Sequence, residues 1–337
     1  MAKFVAFLAL SAFLFGTALS EHEKEPTFTI LPFPPISKTV SQSTTHPAPR
    51  GNKFPDPGLP DAGTATHGLE TVQERSTAAF FTGVGICYSP FTADRKCKSQ
   101  QAINSDVARL RKYSTIRLYG VECNQVSMVM AASKQYGIKI FAGIFSLQRL
   151  DTELQTLIRA AKGSWSSIAA VSIGNELVNK RANSPGQVVN AINKARGILR
   201  AAGYHGPVVT VDTSNTLIKH PQLCRASDFC GANAHAFYSS KTRAHEAGAF
   251  ALKQAALVSS TAGGKTTIIT ESGWPSAGGT NGVAVPSDQN QAIAVKSLRD
   301  GFKGKNGQLF LFSAFNDKWK DDFQGSFGTE KYWGIED

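Results

Sequence analysis

From Thr82 onward, short apolar runs alternate with longer stretches in which apolar residues recur every three or four positions. The short runs predict strands at Gly83–Tyr88, Thr115–Tyr119, Ile138–Ile144, Ile168–Ile173, Val208–Val211, Gly231–Phe237, Thr267–Thr270 and Leu309–Ala314. The stretches between them predict amphipathic helices over Ala102–Tyr113, Gln125–Tyr136, Thr152–Lys162, Pro185–Ala202, Ala244–Ser259 and Ser287–Lys303. Ser184 before Pro185 fits a helix cap followed by a first-turn proline. Strands separated by helices imply parallel pairing through right-handed crossovers. Eight such units in about 250 residues predict an α/β fold, a single (β/α)8 barrel. An open doubly wound sheet is the competing architecture. No glycine-rich phosphate loop follows the first strand, where Gly83-Val84-Gly85 runs into Ile86-Cys87-Tyr88, so a dinucleotide site is not expected.

The pattern before residue 80 is different. Lys3, an apolar run from Phe4 to Phe15 and a small-residue Ala18-Leu19-Ser20 site predict a secretory signal peptide over 1–20, against the alternative of an uncleaved anchor. No other run reaches about 18 apolar residues, so the expected mature protein is soluble and does not enter a membrane. Residues 21–79 are dominated by Pro, Ser, Thr and His, as in Pro32-Phe33-Pro34-Pro35. Such a segment buries too little apolar surface to offset its ordering entropy, and it reads as a disordered linker or pro-segment. The barrel domain is then 80–337.

The formal charge is +11, and the barrel domain is the basic part, since residues 1–79 are slightly acidic. Its basic residues are scattered with no run of five, so nucleic-acid binding is not expected, and adhesion to an acidic wall or membrane surface is the milder reading. Five cysteines in an exported chain imply disulfides with one thiol left over. Cys224 and Cys230 are close enough for a local bridge, Cys97 and Cys123 could join neighbouring loops, and Cys87 reads as a buried free thiol.

In a barrel of this kind the reactive groups lie where the strands end. Tyr88, Tyr119, Asn175-Glu176, Asp212-Thr213, Phe237-Tyr238, Glu271 through Trp274 and Asn316 through Lys320 collect at those ends. Glycoside hydrolysis needs two carboxyl groups flanking the scissile bond, one protonated and one ionised, and Glu176 and Glu271 follow strands four and seven. Nearby tyrosines and tryptophans suit the C–H faces of sugar rings. Ser272 lacks the Gly-x-Ser-x-Gly setting of a serine hydrolase. The histidines show no metal-ligand spacing, and His235 reads as a hydrogen-bonded interior residue.

Ser172-Ile-Gly-Asn-Glu-Leu177 and Ile269-Thr-Glu-Ser-Gly-Trp-Pro-Ser276 resemble the two signature motifs of glycoside hydrolase family 17. The likeness extends through Gly83–Pro90, Ile116–Gly120, Ala314–Lys320 and Tyr332–Ile335, and the wording of Arg117–Val126 resembles the fungal cell-wall branch. The resemblance implies a retaining, cofactor-free and metal-free enzyme on β-1,3-glucan, secreted to a cell wall and monomeric. It makes Glu176 the acid/base and Glu271 the nucleophile. It also implies that Asn175 meets the sugar 2-hydroxyl and that Tyr238 donates to Glu271. Tyr88, Tyr119, Trp274, Asp317 and Lys320 are candidates for the glucan cleft. A carboxyl pair about 5–5.5 Å apart should leave Glu176 protonated and Glu271 ionised. Hydrolysis and glucanosyl transfer both stay open, and a glucan-binding or structural wall protein on an inactive barrel is the alternative of a different class. The chain shows no hydrophobic C-terminal tail of the kind a lipid anchor would require.

Overall fold

The computed structural model describes residues 81–305 and 307–337, so the signal-peptide and linker readings lie outside the described residues. The strands are β1 (Gly85–Cys87), β2 (Thr115–Arg117), β3 (Lys139–Ile144), β4 (Ile168–Asn175), β5 (Val208–Thr213), β6 (Cys230–Asn233), β7 (Thr267–Ser272) and β8 (Leu309–Leu311). Each pairs in parallel with the next, and β8 returns to β1 through Gly85 opposite Phe310, which closes the barrel. The expected (β/α)8 architecture is therefore the one observed, and the open sheet is excluded.

The helices are α1 (Gln100–Arg109), α2 (Gln125–Ser133), α3 (Leu150–Ala161), α4 (Pro185–Ala201), α5 (Ser214–Lys219), α6 (Gln222–Ala226), α7 (Ala247–Thr261) and α8 (Asp288–Gly301). Their starts follow from local chemistry. Ser184 caps α4 by accepting from the Gln187 amide while the Gln187 side chain accepts from the Ser184 amide, with Pro185 in the first turn. The short α5 and α6, split by Pro221, escaped the periodicity reading because neither is long enough to show a 3.6-residue repeat.

Strand boundaries differ from expectation where they matter most. Strands β6 and β8 stop short of the predicted Phe237 and Ala314, whereas β4, β5 and β7 run on to include Asn175, Asp212 and Glu271. In β4, β5 and β7 the apolar run gives way to polar residues before the backbone ladder ends.

Two apolar layers form the core. Phe141 and Phe310 of β3 and β8 meet Phe81 and Phe229 inside the barrel, with Phe81 5.8 Å from Phe141 and 5.2 Å from Phe310 between ring centres. Phe81 and Phe229 precede β1 and β6, so this cluster fills the end of the barrel where strands begin. Outside the barrel, Val107, Leu154, Ile192 and Leu298 of the helices join Ile116, Ile140 and Val208 of the sheet in the second layer. Disulfides Cys97–Cys123 and Cys224–Cys230 are formed and Cys87 is free and buried, as the sequence led us to expect. Among the described residues no helix is long and apolar enough to cross a membrane.

Candidate active site

With the aromatic plug at one end, polar side chains have room only toward the ends of the strands. Arg117 is the first of them. It is the last residue of β2 and is 1% exposed, so its charge must be neutralised locally. Nη1 donates to Glu271 Oε1 at 2.8 Å and to the Thr270 carbonyl at 2.8 Å, while Nη2 donates to Asn175 Oδ1 at 2.9 Å. The guanidinium also lies 4.7 Å from the centre of the Tyr119 ring, a cation–π contact.

Glu271 sits in β7 opposite Asn233 of β6, past a register shift at Ala232/Asn233. Its carboxylate accepts from Arg117, from Tyr119 Oη at 3.0 Å, and meets His235 Nε2 at 3.2 Å. Burial by itself would raise its pKa, but the Arg117 charge and the His235 contact outweigh that and hold it down to about 2. Glu271 is therefore an ionised carboxylate inside a protein core.

Glu176 is presented differently. Gly174 has φ +80° and Glu176 itself has φ +57°, a left-handed conformation that a glutamate adopts only at a cost of about 1–3 kcal/mol. The φ of +80° at position 174 favours glycine, and a Cβ there would in addition press on the Leu177 side chain. The Glu176 amide still donates to the Val211 carbonyl at 2.9 Å, keeping the residue on the β5 ladder. Its half-buried carboxyl accepts from Asn233 Nδ2 at 2.9 Å and lies 3.8 Å from Lys180 Nζ. Asn233 Nδ2 also reaches Asn175 Oδ1 at 3.2 Å, and Asn233 Oδ1 accepts from Thr270 Oγ1 at 2.9 Å. The two glutamates are thus joined through Arg117, Asn175 and Asn233 into one hydrogen-bonded set, one carboxyl sealed and charged, the other open to the barrel mouth.

The remaining candidates separate into those that face this set and those that do not. Tyr119 belongs to it. Tyr238 does not hold Glu271: its hydroxyl donates to Glu330 Oε1 at 3.0 Å and the side chain is 39% exposed. The expected partnership belongs to Tyr119 instead, because β6 ends at Asn233 and Tyr238 lies on the helical turn Ala236–Tyr238 beyond it. Trp274 is fully buried, packed 5.5 Å from Phe237 with Nε1 donating to the Val285 carbonyl, and so cannot stack on a sugar. Tyr88 is 2% exposed and its hydroxyl donates to Asp106 Oδ2 at 2.6 Å, which ties it to α1 rather than to a cleft. Asp317 and Lys320 pair with each other at 3.0 Å, and the Lys320 ammonium sits 4.6 Å from the Phe312 ring centre.

Sequence reasoning passed over three participants. Arg117 was visible as a charge inside an otherwise apolar strand, a placement that requires a buried partner. His235 is interior and hydrogen-bonded, as expected, but its partner is Glu271 and its ring packs 5.0 Å from Trp333 and 5.1 Å from Phe312. Asn233 carried no signal, since nothing in a Gly-Ala-Asn-Ala run marks its amide as a bridge.

The BtgE/BtgC glycoside hydrolase domain matches residues 85–334. The chain is 46% identical over 254 residues to the Candida albicans "Cell surface mannoprotein MP65", an alignment that covers 74% of this chain and 66% of that one. It is 45% identical over 262 residues to the Saccharomyces cerevisiae "Probable family 17 glucosidase SCW4", covering 77% and 66%. The chain therefore spans just under two thirds of the length of these relatives. Among solved structures, the glycoside hydrolase family 17 β-1,3-glucanosyltransferase from Rhizomucor miehei superimposes with a TM-score of 0.64 at 23% identity, over 77% of this chain and 93% of that one.

Proposed function

The chain belongs to the BtgE/BtgC glycoside hydrolase domain family, in line with the family 17 resemblance of its motifs, and from that premise we propose that it is a retaining enzyme acting on β-1,3-glucan in a cell wall. The observation that carries this reading is the unequal pair of carboxyls: Glu271 buried and ionised against Arg117, Glu176 partly exposed and bonded by Asn233. Unequal environments divide two carboxyls into a nucleophile and an acid.

In the first step a Glu271 oxygen bonds to the anomeric carbon as the glycosidic C–O bond breaks, and the leaving oxygen takes the Glu176 proton. In the second, an acceptor hydroxyl gives its proton to Glu176 and bonds to the anomeric carbon, releasing the Glu271 carboxylate. Asn175 Oδ1 is occupied by Arg117 and Asn233, which leaves Nδ2 for the sugar 2-hydroxyl. The substrate class rests on the signature motifs and on relatives named as family 17 glucosidases; a wall location rests on a relative named as a cell surface mannoprotein.

Two measurements test the proposal. Glu271→Ala should abolish turnover of laminarin-type oligosaccharides, and near wild-type turnover would overturn the assignment. The first product, followed by NMR, should keep the β-configuration; the α-anomer would remove the retaining mechanism. Products longer than the starting oligosaccharide would identify a glucanosyl acceptor, and their absence throughout the time course would identify water.

A further inference from the structure

Asp212 is a buried carboxyl that the reaction as described does not use. It is 2% exposed and sits next to last in β5, paired with Ala232 of β6. Its neighbours Val209 and Val211 belong to the apolar cluster inside the barrel, so by strand alternation Asp212 points away from the interior. That is the face on which barrel strands normally pack apolar side chains against helices. A carboxyl placed there without partners would be strongly unfavourable.

Its partners are backbone amides. Asp212 Oδ2 accepts from the Val178 amide at 3.1 Å, and the Asn179 amide also bonds to it. Oδ1 accepts from the Thr213 amide at 2.8 Å. Val178 and Asn179 lie two and three residues beyond Glu176, while the Glu176 amide is held by the carbonyl of Val211, the residue before Asp212. Consecutive residues of β5 therefore grip the chain on both sides of the one glutamate held at φ +57°. Thr213 completes the clasp: its hydroxyl reaches Asn179 Oδ1 at 3.4 Å and caps α5 by accepting from the Thr216 amide.

We propose that Asp212 is a positioning residue for Glu176, fixing the left-handed turn that presents the acid/base carboxyl by accepting the amides that follow it. The inference rests on the reading of Glu176 as acid/base. Asp212 touches neither substrate nor reacting atoms; it acts by keeping Glu176 within reach of the glycosidic oxygen, where small misplacements are expensive in rate.

The test is leaving-group dependence. Asp212→Asn preserves shape but brings a donor against the Val178 and Asn179 amides. For laminari-oligosaccharides, whose leaving alkoxide needs a proton, kcat/KM should fall by about 10- to 100-fold. For a dinitrophenyl β-laminarioside, whose leaving group departs without one, kcat/KM should stay near wild type. Equal losses on both substrates, or none on either, would overturn the proposal. Glu176→Ala, measured in parallel, separates it from the reading beneath: if that variant also loses both activities equally, the acid/base assignment itself fails. If Asp212→Asn does not accumulate as folded protein, Asp212→Glu displaces the acceptor by one methylene while keeping its charge, and the same selective loss is expected.

Discussion

The guanidinium of Arg117 and the carboxylate of Glu271 meet at 2.8 Å with both side chains sealed from solvent. Breaking a buried pair by removing one member costs about 3–5 kcal/mol, because the survivor stays charged and unpartnered. Arg117→Met should therefore destabilise the fold by about that amount at neutral pH, read from urea unfolding. The pH dependence follows from the sign of the shift. Glu271 is held at about 2, below the ordinary carboxylate value of 4.5, so it binds fewer protons folded than unfolded through that window. Its contribution to stability is complete above 4.5 and is lost as pH falls toward 2. In Arg117→Met this acid-side loss should shrink, and the acid limb of kcat/KM should move upward.

Tyr119 and Tyr238 make a paired test of which tyrosine serves Glu271. A hydrogen bond to a charged group contributes about 1.5–3 kcal/mol, so Tyr119→Phe should lower kcat/KM on laminari-oligosaccharides by about 10- to 100-fold. Tyr238→Phe removes hydroxyl contacts to Glu330 and Thr329, neither of them in the Glu271 set, and should leave kcat/KM near wild type. The reverse ranking would restore Tyr238 as the partner.

Trp274 should behave as core. Trp274→Ala opens a cavity beside Phe237 and is expected to cost about 3–5 kcal/mol in unfolding free energy. The folded fraction should keep its KM for oligosaccharide, since the ring is fully buried. A large rise in KM without loss of stability would return Trp274 to the cleft.

Cys87 should resist alkylation. Burial, reinforced by the Glu271 charge and only partly offset by Arg117, pushes its thiol up to about 12, and the thiolate is the reactive form. Iodoacetamide added to the native protein should label no thiol, whereas the unfolded but unreduced chain should take up one equivalent, as mass spectrometry would count.

The chain alone specified the repeating strand–helix period, for which a barrel was the expected architecture, and it marked Glu176 and Glu271 as carboxyls stationed at strand ends. Those readings need only local pattern and residue chemistry. Closure itself came from the pairing of β8 with β1. Which polar groups converge was decided by tertiary structure. Barrel closure brings the ends of β2, β4, β6 and β7 around one point, so that Arg117, Asn175, Asn233 and Glu271 meet across 58 to 154 residues of sequence. Register shifts at Ser172/Asn175 and Ala232/Asn233 then set which side of the sheet each following side chain takes. Because strand side chains alternate faces with a period of two, a one-residue shift exchanges inside for outside. That alternation is why Asp212 stands behind Glu176 instead of beside it, whereas Tyr238 misses Glu271 because β6 ends at Asn233 and the chain turns helical over Ala236–Tyr238.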